Sequence, residues 1–359
     1  MRYEVNKTIL NMNIEGFKIF EQEIFEFKNL TILTGENSAG KSSLIQAILY
    51  LGNPVGLIGT HFNQDLHNFL RSLGGSELFN KNGAKEIIIE ADDLKQIWVK
   101  NGSSIETKIN NFIYPNFLSY PENLVYLNAE KHRIQQISPL NESLKDRFFG
   151  IYCDLTSNYF YHHKREPIED YLIKDKSSLT LESQVNYWMS YITNINDLNI
   201  EINKITPNLV KNVFKINNDE FLPENLGTGL SHLFSILVVC LSSKKNNIIV
   251  IENPEIHLHP KSQAKLGEFF AFIASNGIQL IIETHNDHIL NKVAYEIFKD
   301  NLSKDDVVIH YFSLPYKKTT LYFNDMGNFV NKRGKEIQFP EGFFDATLKE
   351  IFEINGYYK

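Results

Sequence analysis

Eight consecutive residues, Gly35-Glu36-Asn37-Ser38-Ala39-Gly40-Lys41-Ser42, have the spacing G-x-x-x-x-G-K-S. Each part of that spacing has a chemical use. The glycines let the backbone curl so that successive N–H groups face a polyphosphate, and the following helix adds the partial positive charge of its N-terminus. Lys41 can neutralise the β- and γ-phosphates, and the Ser42 hydroxyl is a natural Mg²⁺ ligand. Gly35, Glu36, Asn37, Ser38, Ala39, Gly40, Lys41, Ser42 and the adjacent Ser43 are the candidate nucleotide contacts.

Three further stretches could complete such a site. Ile248-Ile249-Val250-Ile251 is an apolar run that ends in Glu252, a carboxylate suited to a water-held Mg²⁺. Taken alone, an apolar strand ending in Glu is common in plain structure. Gln279–Glu283 is a second such run, followed by Thr284-His285, and a histidine there lies on the ligand-binding edge of an α/β sheet. It could hold the γ-phosphate or only cap a loop. In Gly227-Thr228-Gly229-Leu230-Ser231, glycines lead into a helix with Ser231 in its first turn. This gives a second helix start with free N–H donors, or an ordinary glycine-rich helix start.

The elements that must position these residues follow from periodicity. Loose alternation through Ile14, Phe17, Ile19, Ile24, Phe25 and Phe27 predicts edge strands of an antiparallel layer. Leu30–Thr34 reads as a short buried strand, and Leu44, Ile45, Ile48 and Leu49 as a helix after the loop. A strand is predicted at Glu86–Glu90, between the turn signals Gly52, Gly74, Gly75 and Asn82-Gly83 and a stretch without clear pattern. Leu181, Val185, Trp188, Met189 and Ile192 form one helical stripe of core type. Leu230–Leu241 is predicted as a helix, Ile248–Ile251 as a doubly covered strand, 262–274 as a helix and Gln279–Ile282 as a strand.

Strands alternating with helices predict an α/β fold: a mainly parallel sheet with helices on both faces, an N-terminal antiparallel layer and a mostly helical insertion. The expected divisions are 1–129, the first part of the α/β domain, carrying the loop; 130–222, the mainly helical insertion; 223–315, the second part of the α/β domain; and 316–359, a small segment of antiparallel strands and a last helix. No heptad pattern persists, so coiled-coil arms are not expected.

Bulk properties exclude several classes. The chain has 359 residues and 43% hydrophobic content, enough for a large core. It has no run of 18 uncharged apolar residues and no basic-then-apolar leader, so a cytoplasmic protein without membrane attachment is expected. Cys153 and Cys240 stand alone, without metal-ligand spacing. The net charge of −7 argues against coating nucleic acid by bulk electrostatics but leaves room for a local basic groove. Lys81, Lys85, Lys95 and Lys100 could form a rim for such a groove or simply a solvated face. The pair His257 and His259 lacks further ligands at recognised spacing, so a zinc reading is set aside.

Taken in order, phosphate loop, glycine-serine segment, acidic strand and post-strand His resemble the ABC-type ATPases. The closer likeness is to their SMC/RecF/OLD branch, which acts in DNA maintenance and anti-phage defence. Ile251-Glu252-Asn253-Pro254-Glu255-Ile256-His257-Leu258-His259-Pro260 is similar to that branch's E-x-P-E-x-H-L-H-P stretch, and Glu283-Thr284-His285-Asn286 to its E-T-H-S segment. Gly16-Phe17-Lys18-Ile19-Phe20 resembles the usual opening of these ATPases. Phe339-Pro340-Glu341-Gly342-Phe343-Phe344-Asp345 resembles the tail of a bacterial subgroup, and Tyr126–Arg133 is a fainter match.

The resemblance implies ATP and Mg²⁺ as cofactors, ATP hydrolysis, and a homodimer or higher oligomer. Two ATP molecules would be sandwiched between Gly35–Ser42 of one subunit and Gly227, Gly229 and Ser231 of the other. It places Glu252, Asn253, Glu255 and His285 in the catalytic group and Ser42 with Glu252 at the metal. The chain departs from the pattern in three places. Asn253 stands where these enzymes carry the water-polarising Glu, and an Asn cannot take a proton; either Glu255 takes over or hydrolysis is slow. The signature lacks the L-S-G-G-x order, and only Gln135 and Gln136 offer themselves as a Q-loop. Phe17 or Phe20 could stack on adenine or be buried.

The expected role is an ATP-gated dimeric sensor or clamp that regulates a partner effector, such as a nuclease encoded nearby, with nucleic acid as a further possible ligand. The rival is a DNA-cleaving ATPase of OLD type. Those proteins append a Toprim nuclease domain, whereas about 70 residues follow His285 here and Asp305-Asp306 is the one acidic pair among them. A small-molecule kinase or GTPase has no use for the signature or for Thr284-His285, and no N-K-x-D motif occurs.

Overall fold

A computed structural model describes residues 8–52, 61–73, 78, 82–92, 94–101, 104–110, 118–340 and 343–344. Gly74, Gly75, Lys81, Glu341, Gly342, Asp345 and the expected last helix lie outside the described residues.

The chain opens with antiparallel β1 (Asn11–Phe17) and β2 (Phe20–Glu26), followed by β3 (Leu30–Gly35), α1 (Lys41–Gly52) and α2 (His61–Ser72). Strands β4 (Glu86–Ala91), β5 (Leu94–Asn101) and β6 (Ser104–Asn110) join β1 and β2 in a five-stranded antiparallel sheet of order β2-β1-β4-β5-β6. The alternation in the first 27 residues thus forms the expected layer. Gly16 is required there: its φ is +67°, and a Cβ would lie 2.2 Å from the Glu86 carbonyl oxygen.

Next come β7 (Leu124–Leu127), β8 (Ile137–Pro139), α3 (Thr156–His163) and α4 (Leu181–Thr193). Strands β9 (Asn199–Thr206), β10 (Leu209–Ile216) and β11 (Asp219–Phe221) precede α5 (Thr228–Leu241) and β12 (Ile248–Glu252). The chain continues through α6 (Pro260–Ser275), β13 (Gln279–Glu283), α7 (Asp287–Phe298), β14 (Val307–Ser313), β15 (Lys317–Phe323) and β16 (Phe329–Val330).

The central sheet has the order β16-β15-β14-β3-β13-β12-β7. From β14 to β7 every pair is parallel, and β15 and β16 close one edge antiparallel. Its strands alternate between two cores. Leu30, Ile32, Ile249, Ile251, Leu280 and Ile282 pack with α4, α5, α6 and α7. Leu33, Ile248, Val250 and Ile281 pack with α1 and the antiparallel sheet. Both faces are covered, which is why these strands read as continuous apolar runs.

The 130–222 segment was expected to be mainly helical, and this is corrected. It contains α3 and α4, but β8, β9, β10 and β11 form a four-stranded antiparallel sheet. The hairpin from β10 to β11 turns at Asn217 and Asn218, with φ of 49° and 73°, a pair of left-handed residues that the primed turns demand. The alternation is short, with Ile200 and Ile202 on one strand and Val210, Asn212 and Phe214 on the next, all buried. The stripe on α4 is core, as read from its spacing: Trp188 meets Phe269 of α6 edge-on at 4.9 Å.

Candidate nucleotide site at the carboxyl edge of the sheet

Strands β3, β12 and β13 are parallel and end together, so Gly35, Glu252 and Glu283 emerge at one edge. That edge is where open α/β sheets bind ligands. The loop from Gly35 to Gly40 leaves β3 through left-handed residues: φ is +121° at Gly35, 60° at Ser38 and +115° at Gly40. Gly35 also admits the neighbouring strand, since a Cβ there would lie 2.1 Å from the Phe312 carbonyl oxygen. Lys41 begins α1 and is buried, with its ammonium donating to the carbonyls of Gly35 (3.2 Å) and Glu36 (2.6 Å). Burial lowers its pKa, opposed by Glu283 and Glu36. A buried cation bonded to neutral carbonyls at a helix start fits a polyphosphate. Glu36, Asn37, Ser38 and Ser42 are exposed, with Ala39 and Gly40 buried and Ser43 half-buried. The Glu36 carboxylate accepts from the Leu314 N–H, so its tie is to the chain after β14.

Acidic groups face this loop. Ser42 Oγ lies 3.3 and 3.5 Å from the two Glu283 carboxylate oxygens. Burial, and then the neighbouring Glu252, push Glu283 up to about 7, against the pull of Lys41 and Ser42. Glu252 accepts from the Tyr126 hydroxyl at 3.0 Å and from the Ala129 N–H, and burial raises its pKa. Lys131 is buried and donates to the Glu252 main-chain carbonyl at 2.6 Å. Glu255 accepts from the His285 N–H at 3.2 Å through Oε1 and from the Thr284 hydroxyl, while its Oε2 is buried without a partner. Asn253 has a left-handed φ of 43° and a buried Oδ1 without a partner, and its N–H donates to the Glu283 carbonyl. His285 keeps part of its surface in solvent, with a ring hydrogen bond to the Gly35 backbone, and partial desolvation and then Lys41 lower its pKa. The structure therefore brings Glu252, Asn253, Glu255 and His285 together beside the loop.

The donor set suits Mg²⁺. A hydroxyl and carboxylates offer hard oxygens, and this ion keeps several waters instead of requiring a full protein cage. Accordingly, no group of three or more His, Cys, Asp or Glu residues among those described is arranged to hold a metal alone.

The second helix start is less uniform than its sequence suggests. Gly227 is exposed and faces open space. Gly229 is buried, and a Cβ on it would lie 2.4 Å from the His257 carbonyl oxygen, so this glycine allows α5 to pack on the loop after β12. Ser231, in the first turn of α5, is buried within the protomer at 1% exposure. The exposed start of α5 is Gly227 with half-buried Thr228. Phe17 and Phe20 are buried as well and offer no surface for stacking. Gln135 and Gln136 line a surface cleft with Arg133, Ile137 and Glu224 instead of the phosphate loop. His259 caps α6 through Nδ1. Lys95 pairs with Glu90 at 3.0 Å.

Four residues of this neighbourhood were not among the candidate site residues, although the segments that carry them were noted in the sequence: Glu283, Tyr126, Lys131 and Arg133. Glu283 carried a usable signal, since it ends an apolar strand just as Glu252 does. Arg133 donates to the carbonyls of Pro223 and Leu226, before α5. His232 of α5 hydrogen-bonds the Lys131 backbone, and burial with Lys131 nearby lowers it to about 4.

Fold and site together define a P-loop ATPase of SMC-like architecture. The chain belongs to the AAA ATPase domain family, whose model matches residues 58–290. An AAA domain model matches 11–52, which includes the phosphate loop, and residues 302–354 match a family described as Protein of unknown function (DUF3696). Among solved structures, the chain is similar to an Smc head bound to the C-winged helix domain of ScpA, at TM-score 0.60 and 15% identity over 88% of this chain and 98% of that one. It is also similar to an Smc head with an extended coiled coil bound to the C-terminal domain of ScpA derived from Pyrococcus furiosus, at TM-score 0.58 and 14% identity over 97% and 99%. No curated protein matches. Among the described residues, no helix is long and apolar enough to cross a membrane.

Proposed function

We propose that the protein binds and hydrolyses ATP with Mg²⁺ and works as an ATP-gated dimer that regulates a partner effector. The observation that carries this reading is the pair of helix starts at one sheet edge. The Lys41 end of α1 has its own loop and carboxylates, whereas the Gly227 end of α5 faces open space. A second copy related by a two-fold axis would bring its phosphate loop to that free end, giving two identical sites. Binding of the γ-phosphate across the interface would favour the closed dimer, and hydrolysis would release it.

Within this reading Lys41 binds the phosphates, and His285 beside Gly35 senses the terminal one. Glu255 orients or deprotonates water, and Asn253 can only orient it. An effector such as a nuclease, in anti-phage defence or DNA maintenance, is the partner class that the motifs favour. The Smc heads bound to parts of ScpA are a precedent for a partner on this fold. Direct nuclease activity of OLD type is the weaker reading, because Asp305 and Asp306 stand far from the site on the approach to β14.

Sedimentation with a slowly hydrolysed ATP analogue tests the proposal. The wild type should dimerise with nucleotide and Lys41→Ala should not. Thr228→Arg, at the exposed helix start, should bind nucleotide as a monomer without dimerising. An oligomer indifferent to nucleotide in all three rejects the sandwich.

A further inference from the structure

The carboxylate that engages the phosphate-loop hydroxyl is not the one that ends β12. Glu252 and Glu283 are register partners at the ends of adjacent parallel strands, so both reach the same edge. Their engagements differ. Glu252 is committed to the 126–131 segment: its carboxylate takes the Tyr126 hydroxyl at 3.0 Å and the Ala129 N–H, and its carbonyl takes Lys131. Asn128 in turn donates to the Tyr126 hydroxyl at 3.0 Å, which fixes that ring. Glu283 is 6% exposed, sits in the field of Lys41 and meets Ser42 Oγ through both oxygens.

In phosphate-loop enzymes the metal is held by the loop hydroxyl together with one strand-end acid. Among the described residues, that hydroxyl meets an acid at Ser42 and Glu283 alone. We propose that Glu283, and not Glu252, is the carboxylate that works with Ser42 to hold the divalent cation of the bound nucleotide. Glu252 is a positioning residue that anchors the 126–131 segment beside the site. The proposal rests on the reading of residues 35–42 as an ATP site.

The test measures affinity of the full chain for a fluorescent, non-hydrolysable ATP analogue, with Mg²⁺ and with EDTA. Wild type should bind more tightly with Mg²⁺. Glu283→Gln should match wild type in EDTA and lose about 10- to 100-fold of the Mg²⁺-dependent gain, the usual range when a carboxylate supporting a metal is removed. Glu252→Gln should retain that gain while melting at a lower temperature. Glu283→Asp keeps the charge and should restore part of the gain, which covers the case in which Glu283→Gln does not fold. Manganese in place of magnesium gives an independent readout, because its EPR signal should change on binding with the analogue to wild type and Glu252→Gln but not to Glu283→Gln. A full Mg²⁺ gain in Glu283→Gln, or an equal loss in both variants, overturns the assignment. A wild type that binds no analogue in either buffer refutes the ATP site itself, and this assignment with it.

Discussion

Arg133 reaches 93 residues along the chain to donate to the Leu226 carbonyl, and the same guanidinium group bonds the Pro223 carbonyl. The residue two positions earlier, Lys131, holds the Glu252 carbonyl. One short segment after β7 therefore ties the acidic strand end to the approach of α5.

Removing that tie should uncouple the two halves. Arg133→Ala forfeits charge-assisted bonds worth roughly 1.5–3 kcal/mol, so the melting temperature should fall by several degrees. Nucleotide affinity of the monomer should stay near wild type, while nucleotide-driven dimerisation weakens because α5 loses its fixed start. Titration calorimetry and sedimentation read these separately. Unchanged dimerisation beside a lowered melting temperature would make Arg133 a stability residue only.

Glu255 is the better placed of the two water-handling candidates. One oxygen is held by His285 and Thr284, and the other is buried and free. Glu255→Gln should keep nucleotide affinity, slow single-turnover hydrolysis by ~10²-fold or more and accumulate the closed dimer. Asn253→Ala should have the smaller effect. Normal turnover in Glu255→Gln with a dead Asn253→Ala would reverse the two roles.

Gly229 should tolerate no side chain. Gly229→Ala forces a methyl against the His257 carbonyl, and overpacking of this kind costs about 1–3 kcal/mol. Gly227→Ala meets nothing inside the protomer and should leave the monomer's stability close to wild type. Chemical denaturation of both variants distinguishes them; equal destabilisation would show that the α5 start is packed differently.

A buried histidine should set part of the acid limit. His310 of β14 lies between Thr320 Oγ1 at 3.1 Å and the Glu26 carbonyl at 2.8 Å, with Lys318 nearby. Burial, the main cause, lowers it to about 4, against an ordinary 6.5. Between those values the unfolded chain takes up a proton that the folded chain refuses, so stability falls as pH drops through that window. The limiting slope is about 1.4 kcal/mol per pH unit for one such group. His232, also lowered to about 4, adds a second contribution. His310→Gln should flatten the dependence measured by urea unfolding from pH 7 to 4.5. An unaltered slope would assign it elsewhere.

What the sequence made legible was whatever local periodicity or a contiguous motif carries. Gly35–Ser42, the strands before Glu252 and Glu283, and the helices α5 and α6 all fall where spacing placed them. The sheet in 130–222 did not show, because its strands alternate over few residues and its turn uses Asn217-Asn218 in place of a glycine. β14 was missed although Val307-Val308-Ile309 and Tyr311-Phe312 are apolar, because His310 interrupts the run. Ser231 and Glu283 are a different case: which way a helix's first turn faces, and which of two strand-end acids meets a loop, depend on packing between separate segments, such as Gly229 on His257 and Ser42 on Glu283, 241 residues apart. The Lys131 and Arg133 contacts belong to the same kind, since single cations bonding distant carbonyls leave no pattern in the chain.

β3 finds both of its neighbours late: Leu30 registers with Leu280 on one side and with Val307 on the other. On the ribosome the strand that launches the phosphate loop would wait for both partners through roughly 15–55 s of synthesis at ordinary elongation rates. Until then it has two bare edges, the condition that invites mispairing with other chains. Gly35 sits against Phe312 of the later partner, so the loop acquires its shape only when that strand arrives. Competence to bind nucleotide therefore waits until the chain has been made at least as far as Phe312.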